Sequence, residues 1–263
     1  MKWDWEALSG ISAAIAALLS FVAVLISLFT TWYQIKSNKR AMMPILIPEL
    51  KMVKSDISEV IRDWDTNEEM EDKFSNTKIM LNNIGKESAV DIRYNFRLEN
   101  ENKLGDYLEG VNEIEKKSSN NYMRIEDNGF SENVTSILYK KLGGNEVSKE
   151  YKMDSYTRKV SSISSQSVGE LYLPSYFIAL VNYNFRVNHK HARLLPVEMP
   201  ILHLEIRFKD IYLKSWSVKY LIFMSTVAKT INDAELTTSI EYWQCQKMKR
   251  VRKQYWRLLQ FWK

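Results

Sequence analysis

The stretch Ile201-Leu-His-Leu-Glu-Ile-Arg-Phe-Lys209 alternates without a break: Leu202, Leu204, Ile206 and Phe208 fall on one side of an extended chain, and His203, Glu205, Arg207 and Lys209 on the other. Successive side chains of a strand point to opposite faces, so this segment reads as a strand with one face in a core and one in water. Residues 215–224 supply an extended partner across the short 210–214 connection, which makes a hairpin. Working outward, Ala89–Leu98 repeats the pattern, with Val90, Ile92, Tyr94, Phe96 and Leu98 opposite Asp91, Arg93, Asn95 and Arg97. Before it, residues 78–84 form another apolar run, and the Gly85-Lys86-Glu87-Ser88 turn between the two reads as a hairpin or a crossing from one sheet to another.

Pro44-Ile-Leu-Ile-Pro-Glu-Leu50 holds two prolines, which exclude a helix interior and suit an edge strand. Ser167–Leu173 gives a further strand, Pro174–Tyr183 a short helix with proline in its first turn, and Leu236–Trp243 one more strand. Short alternating strands without a repeating strand–helix order predict a mainly β domain, an antiparallel β-sandwich or barrel-like fold over residues 44–246. Residues 99–150 are rich in Asn, Glu, Lys, Ser and Gly and read as a long polar insertion, either a surface excursion or a recognition loop.

Ahead of this domain, residues 7–31 run without a charge and would span roughly 37 Å as a helix, against a hydrocarbon core of about 30 Å. Trp3 and Trp5 precede the run, and Trp32 and Tyr33 follow it, as an aromatic belt at each headgroup level requires. A cleaved signal peptide would need a basic start and a small-residue cleavage site, and the run has neither. Residues 1–40 therefore read as a single transmembrane anchor with its basic stop. Lys36, Lys39 and Arg40 crowd the C-terminal flank, while Lys2 is offset by Asp4 and Glu6, so the positive-inside rule puts the domain in the cytoplasm. Cys245 is the only cysteine, which fits a reducing compartment. Asn133-Val134-Thr135 is a formal glycosylation acceptor that this topology keeps from the modifying machinery. Small residues Ser9, Gly10, Ala13 and Ala17 line neighbouring helical faces, where a second copy could approach closely and form a homo-oligomer.

The chain of 263 residues carries a formal net charge of +5. Its last seventeen residues hold seven cations and no acid, so the rest is slightly acidic. Residues 247–263 predict a basic amphipathic helix: Met248, Val251, Tyr255, Leu258, Leu259 and Trp262 share an arc of roughly 100°. Lys247, Lys249, Arg250, Arg252, Lys253, Tyr255, Trp256, Arg257 and Trp262 could meet anionic lipid or nucleic acid, or the helix could simply pack on the domain.

No phosphate-binding loop, dinucleotide fingerprint, zinc-protease or nucleophile-elbow motif occurs, so no catalytic residue and no cofactor is assigned. His189-Lys-His191, with Glu205 as a conceivable third ligand, is a two-histidine pattern that fits a solvated basic loop better than a metal site. The acidic stretch of Asp63, Asp65, Glu68, Glu69, Glu71 and Asp72 reads as a solvated face. Few Gly and Pro with abundant Lys, Asn, Ile and Ser suit a low-GC bacterial genome.

The N-terminal span, its basic stop, the proline-containing first strand, Leu81-Asn-Asn-Ile-Gly-Lys-Glu-Ser-Ala-Val-Asp-Ile92 and the Phe208-Lys-Asp-Ile…Trp216-Ser-Val-Lys-Tyr hairpin resemble those of uncharacterised bacterial single-pass proteins with a cytosolic β-sandwich. The resemblance covers most of the chain, and the polar insertion departs from it. Such proteins have no settled activity to carry over to residues here; the topology and the missing catalytic motifs together read as an inner-membrane, non-enzymatic module that binds a protein partner or ligand. A membrane-tethered nucleic-acid binder using the tail is the alternative.

Overall fold

The computed structural model describes residues 5–56, 60–115, 120–128, 134–142, 147–153, 157–191, 198–229 and 235–251. The chain divides into two compact units, Met1–Met43 and Pro44–Lys263.

The first unit is one helix, α1 (Trp5–Met42). Over Ala13–Asn38 its mean hydropathy is 2.5, long and apolar enough to cross a membrane, and none of that window is buried by protein. The hydroxyls inside it are satisfied locally: Ser20 Oγ donates to Ala16 O and Thr30 Oγ1 to Ile26 O, each at 2.8 Å. That pairing is what hydrocarbon demands of a polar group.

The second unit is mainly β, built of antiparallel sheets. A three-stranded sheet has the order β1 (Leu46–Pro48), β3 (Phe74–Asn83), β9 (Val168–Pro174). A curled six-stranded sheet runs β2 (Lys51–Asp56), β12 (Glu235–Arg250), β11 (Ser215–Lys229), β10 (Leu202–Lys209), β4 (Ala89–Leu98), β8 (Arg158–Ile163). The predicted alternation in β10 is present in full: Leu202, Leu204, Ile206 and Phe208 are buried, and their neighbours are not. β3 and β4 belong to different sheets, so the turn at Gly85 is the crossing rather than the hairpin. The Pro44 segment forms β1, an edge strand that among the described residues pairs with β3 alone. Two tyrosines of the larger sheet pin the smaller one across the core: Tyr220 Oη donates to Leu46 O at 2.5 Å, and Tyr94 Oη accepts from Tyr172 N at 3.0 Å.

β4 departs from simple alternation near its start. Asp91 has φ 48°, and Asp91 and Ile92 together stand opposite Phe208. This bulge turns Ala89 and Ile92 inward and leaves Val90 half-buried. Asp91 thereby reaches Lys209 Nζ at 2.6 Å and Arg93 Nε at 3.3 Å.

Residues 99–150 are not the polar excursion that their composition predicts. They form α2 (Glu101–Glu115) and strands β5 (Asn120–Asn128), β6 (Val134–Leu142) and β7 (Val147–Lys152), the last reaching Lys152, in a third sheet of order β5-β6-β7. Leu104, Tyr107, Leu108 and Val111 recur at helical spacing and are buried. Asn112 fastens the helix to β5, donating to Met123 O at 2.8 Å and accepting from Met123 N at 3.2 Å. Tyr183 Oη donates to the same Asn112 oxygen at 3.2 Å.

The helix after Pro174 is α3 (Ser175–His191), longer than the short helix predicted, with Pro174 as the last residue of β9 rather than inside the helix. Tyr176–Phe185 are all buried. Its neighbours are β3 and β9 of one sheet and β7 of another. Burying apolar side chains of this size is worth about 1.5–3 kcal/mol each, so α3 holds much of the core energy.

Candidate anion-binding face

Because the apolar side of β10 is inside, its polar side forms part of an open outer face, and strand register decides what aligns there. Lys159 of β8 pairs with Arg93 of β4, Arg93 with Arg207 of β10, Arg207 with Ser217 of β11, and Ser217 with Lys249 of β12. Paired residues of an antiparallel ladder share a face. Four cations and one serine thus form a row across five strands, about 19 Å at ~4.8 Å per strand.

Two arginines directly opposite each other repel. Here each is held by an acid on its own strand: Arg93 Nε donates to Asp91 Oδ1 at 3.3 Å, and Arg207 Nε to Glu205 Oε1 at 2.9 Å. The side chains remain 48% and 65% exposed, so forked donors stay available at the surface. Hydrogen bonds from Lys209 and Arg93 hold the Asp91 carboxyl below its usual range. Partial burial pushes Glu205 up, but Arg207, Lys219 and Ser217 outweigh it and the net shift is downward. Both acids are therefore ionised at neutral pH and fix the arginines in place.

Two hollows flank the pair. One of about 150 Å³ is lined by Arg93, Tyr94, Asn95, Thr157, Glu205 and Arg207, and one of about 230 Å³ by Asp91, Arg93, Arg207, Lys209, Ser215 and Trp216 among others. Pockets for drug-sized ligands run about 300–1,000 Å³, so these fit a carboxylate or a phosphate group better than an organic cofactor.

A second row lies four residues along β4, β10 and β11: Arg97, His203 and Leu221, with Trp243 of β12 opposite Leu221. Trp243 is 69% exposed. Cys245 Sγ lies 3.6 Å from His203 Nε2, and Glu99 Oε2 3.9 Å from His203 Nδ1. The order thiol, imidazole, carboxylate is that of a proton relay, but it lies outside both hollows, on the open sheet.

The residues singled out in sequence are placed unevenly. Trp32, Tyr33, Lys36, Lys39 and Arg40 are on α1, with Lys36 Nζ 4.8 Å from the Trp32 ring centre. Trp5, Ser9, Gly10, Ala13 and Ala17 are on the same helix, and Trp3 lies outside the described residues. The helix predicted over 247–263 is absent at its start: Lys247, Lys249 and Arg250 continue β12, because β11 offers backbone partners as far as Trp216, opposite Arg250. Arg252, Lys253, Tyr255, Trp256, Arg257 and Trp262 lie outside the described residues, as does Asn133. His189 and His191 fall on the last turn of α3, not in the loop that the sequence suggested. Among the described residues no group of three or more His, Cys, Asp or Glu is arranged to hold a metal ion.

The acidic stretch is not a uniformly solvated face. Asp63 is buried and accepts from four backbone N–H groups, those of Asp65, Thr66, Asn76 and Thr77, at 2.8–3.1 Å. Asp65 takes Lys51 Nζ at 2.5 Å. The cationic row itself was hidden in the sequence. The polar positions of β4 and β10 were visible one strand at a time, but their alignment with β8 and β12 depends on long-range register.

Compared with known proteins, the chain matches no family model, no curated protein and no solved structure.

Proposed function

We propose that the protein is a non-enzymatic binding module of a bacterial inner membrane, anchored by α1, with its sandwich in the cytoplasm. The sandwich binds an acidic protein partner on its outer sheet face. The observation that carries this reading is the in-register row of Lys159, Arg93, Arg207 and Lys249, with two hollows of carboxylate size beside the arginines. Bidentate arginine–carboxylate contacts would supply the specificity. Lys36, Lys39 and Arg40 support the cytoplasmic orientation. The small residues Ser9, Gly10, Ala13 and Ala17 support self-association through the span, which would multiply a weak contact.

The test uses the full chain in lipid nanodiscs with poly-L-glutamate as the probe. Wild type is expected to bind in a salt-sensitive way, and Arg93→Gln with Arg207→Gln to lose about tenfold or more, since each charge-assisted contact is worth about 1.5–3 kcal/mol. Equal binding by the double variant would refute the reading.

A nucleic-acid partner is favoured by one feature, Trp243, which is exposed in the row containing Arg97. Such a ring can stack on a base while cations hold phosphates. A single-stranded oligonucleotide that outcompetes poly-L-glutamate, and is lost in Trp243→Ala, would select this reading instead.

A further inference from the structure

The chain enters the β domain at one end, and that end has a character unlike the rest of the surface. β1, β3, β4 and β8–β12 all have a terminus there, at Leu46, Asn83, Ala89, Ile163, Val168, Lys209, Ser215 and Arg250. The connections are tied together. Ile84 N donates to Ile45 O at 3.0 Å, Ser165 Oγ to Gly85 O at 2.9 Å, Gln166 N to Asn83 O at 2.9 Å, and Val251 N to Ser215 O at 2.8 Å.

At this end the β10–β11 connection is a rigid tip. Asp210 is buried and accepts from Lys214 N at 2.9 Å and Trp216 Nε1 at 3.0 Å, while Leu213 takes φ 59° and donates its N–H to Asp210 O at 2.9 Å. The result is that Ile211, Tyr212 and Leu213 project outward, 51%, 59% and 72% exposed. Ile84 and Val168 are also more than half exposed. Cations stand beside them: Lys86 and Arg250 are exposed, and Lys214 Nζ lies 5.4 Å from the Tyr212 ring centre. The nearby acids are engaged or withdrawn. Asp210 is inside, Asp91 is paired with Lys209, and burial followed by the Asp210 charge pushes the Glu87 carboxyl up.

We infer that this end of the domain is a lipid-contacting surface, with the Ile211-Tyr212-Leu213 tip seated among the headgroups and Lys86, Lys214 and Arg250 on anionic phosphates. Three observations select a bilayer over a protein partner. Ile45 follows Met43, the last residue of the helical unit, by two residues, or less than about 8 Å of chain, so this is the end of the domain that the chain joins to the helical unit. Apolar side chains ringed by cations, with a tyrosine between, match the amphipathic chemistry of an anionic leaflet. Val251, from which the cation-rich sequence of residues 252–263 continues, lies at the same end. The inference rests on the reading that α1 spans a membrane.

The test places an environment-sensitive fluorophore on the full chain, in a Cys245→Ser background, at Leu213→Cys and separately at Ile84→Cys. Lys103→Cys, at the opposite end, serves as the control. Each is reconstituted in liposomes of phosphatidylcholine with phosphatidylglycerol, and insertion is checked by resistance to alkaline carbonate. The expected result is blue-shifted emission at positions 213 and 84, quenched about threefold or more by doxyl-labelled lipid, and unquenched emission at position 103. Carbonate-resistant protein with no lipid quenching at 213 and 84 would overturn the inference and leave the anchored reading intact. Blue-shifted emission that doxyl lipid does not quench marks a protein contact and overturns it equally. Protein extracted by carbonate would overturn the anchored reading, and this inference with it.

Discussion

Asp63→Ala is expected to destabilise the β domain by about 3–5 kcal/mol, because it takes the acceptor from four backbone N–H groups and each buried donor left unsatisfied costs about 1–3 kcal/mol. Asp63 Oδ1 accepts from Asp65 N and Thr66 N, and Oδ2 from Asn76 N and Thr77 N. One carboxylate thus folds the 63–69 turn and ties it to the start of β3. Removing it leaves four N–H groups to find other partners at a site that is 3% exposed. Asp63→Asn keeps one accepting oxygen but aims an NH₂ at two donors, so it should cost less than alanine, about 2 kcal/mol. Urea unfolding of the domain measures both. A loss below about 1 kcal/mol for alanine would mean that the turn is held by its flanking strands alone.

Asn83→Ala should cost about 3 kcal/mol and loosen the end where the chain enters the domain. Its Oδ1 accepts from Ile45 N and Gly85 N, each at 3.1 Å. Its Nδ2 faces Glu87 O at 2.8 Å, Ser164 O at 3.1 Å and Ile163 O at 3.2 Å. The side chain is 1% exposed, so water cannot replace these contacts without opening the site. Asn83→Asp should be about as damaging, since a carboxylate would confront three carbonyl oxygens. Hydrogen exchange of Ile84 and Gly85 should quicken in both variants, while exchange in α2, anchored to β5 by Asn112, stays as in wild type. Uniform acceleration would indicate global destabilisation instead.

Both residues show where sequence reading stops. The strands were legible wherever one face is buried and the other wet, because period-two alternation is then imposed by the core, as in β10 and β4. The segment 101–115 was misread because its buried side has only Leu104, Tyr107, Leu108 and Val111, diluted by the polar residues between them. Asp63 was invisible for a different reason: an acid that accepts four backbone N–H groups has the same letter as one in water. The start of the predicted tail helix was lost to long-range pairing. Its apolar residues share a helical arc on paper, but an unpaired ladder on β11 recruits residues up to Arg250 into β12. The candidate site follows the same logic. Arg93 and Arg207 were each recognised as polar-face residues, and only the pairing of β4 with β10 brings them opposite each other.

The proposed anchored, cytoplasmic orientation can be tested through the protein's single thiol. Cys245 is exposed on β12, within the domain that α1 tethers. In bacterial spheroplasts expressing the full chain, a membrane-impermeant maleimide should leave Cys245 unlabelled until the inner membrane is permeabilised, with the protein remaining in the carbonate-resistant fraction throughout. Labelling of intact spheroplasts would put the domain outside the cytoplasm, and release by carbonate would remove the anchor; either result contradicts the account.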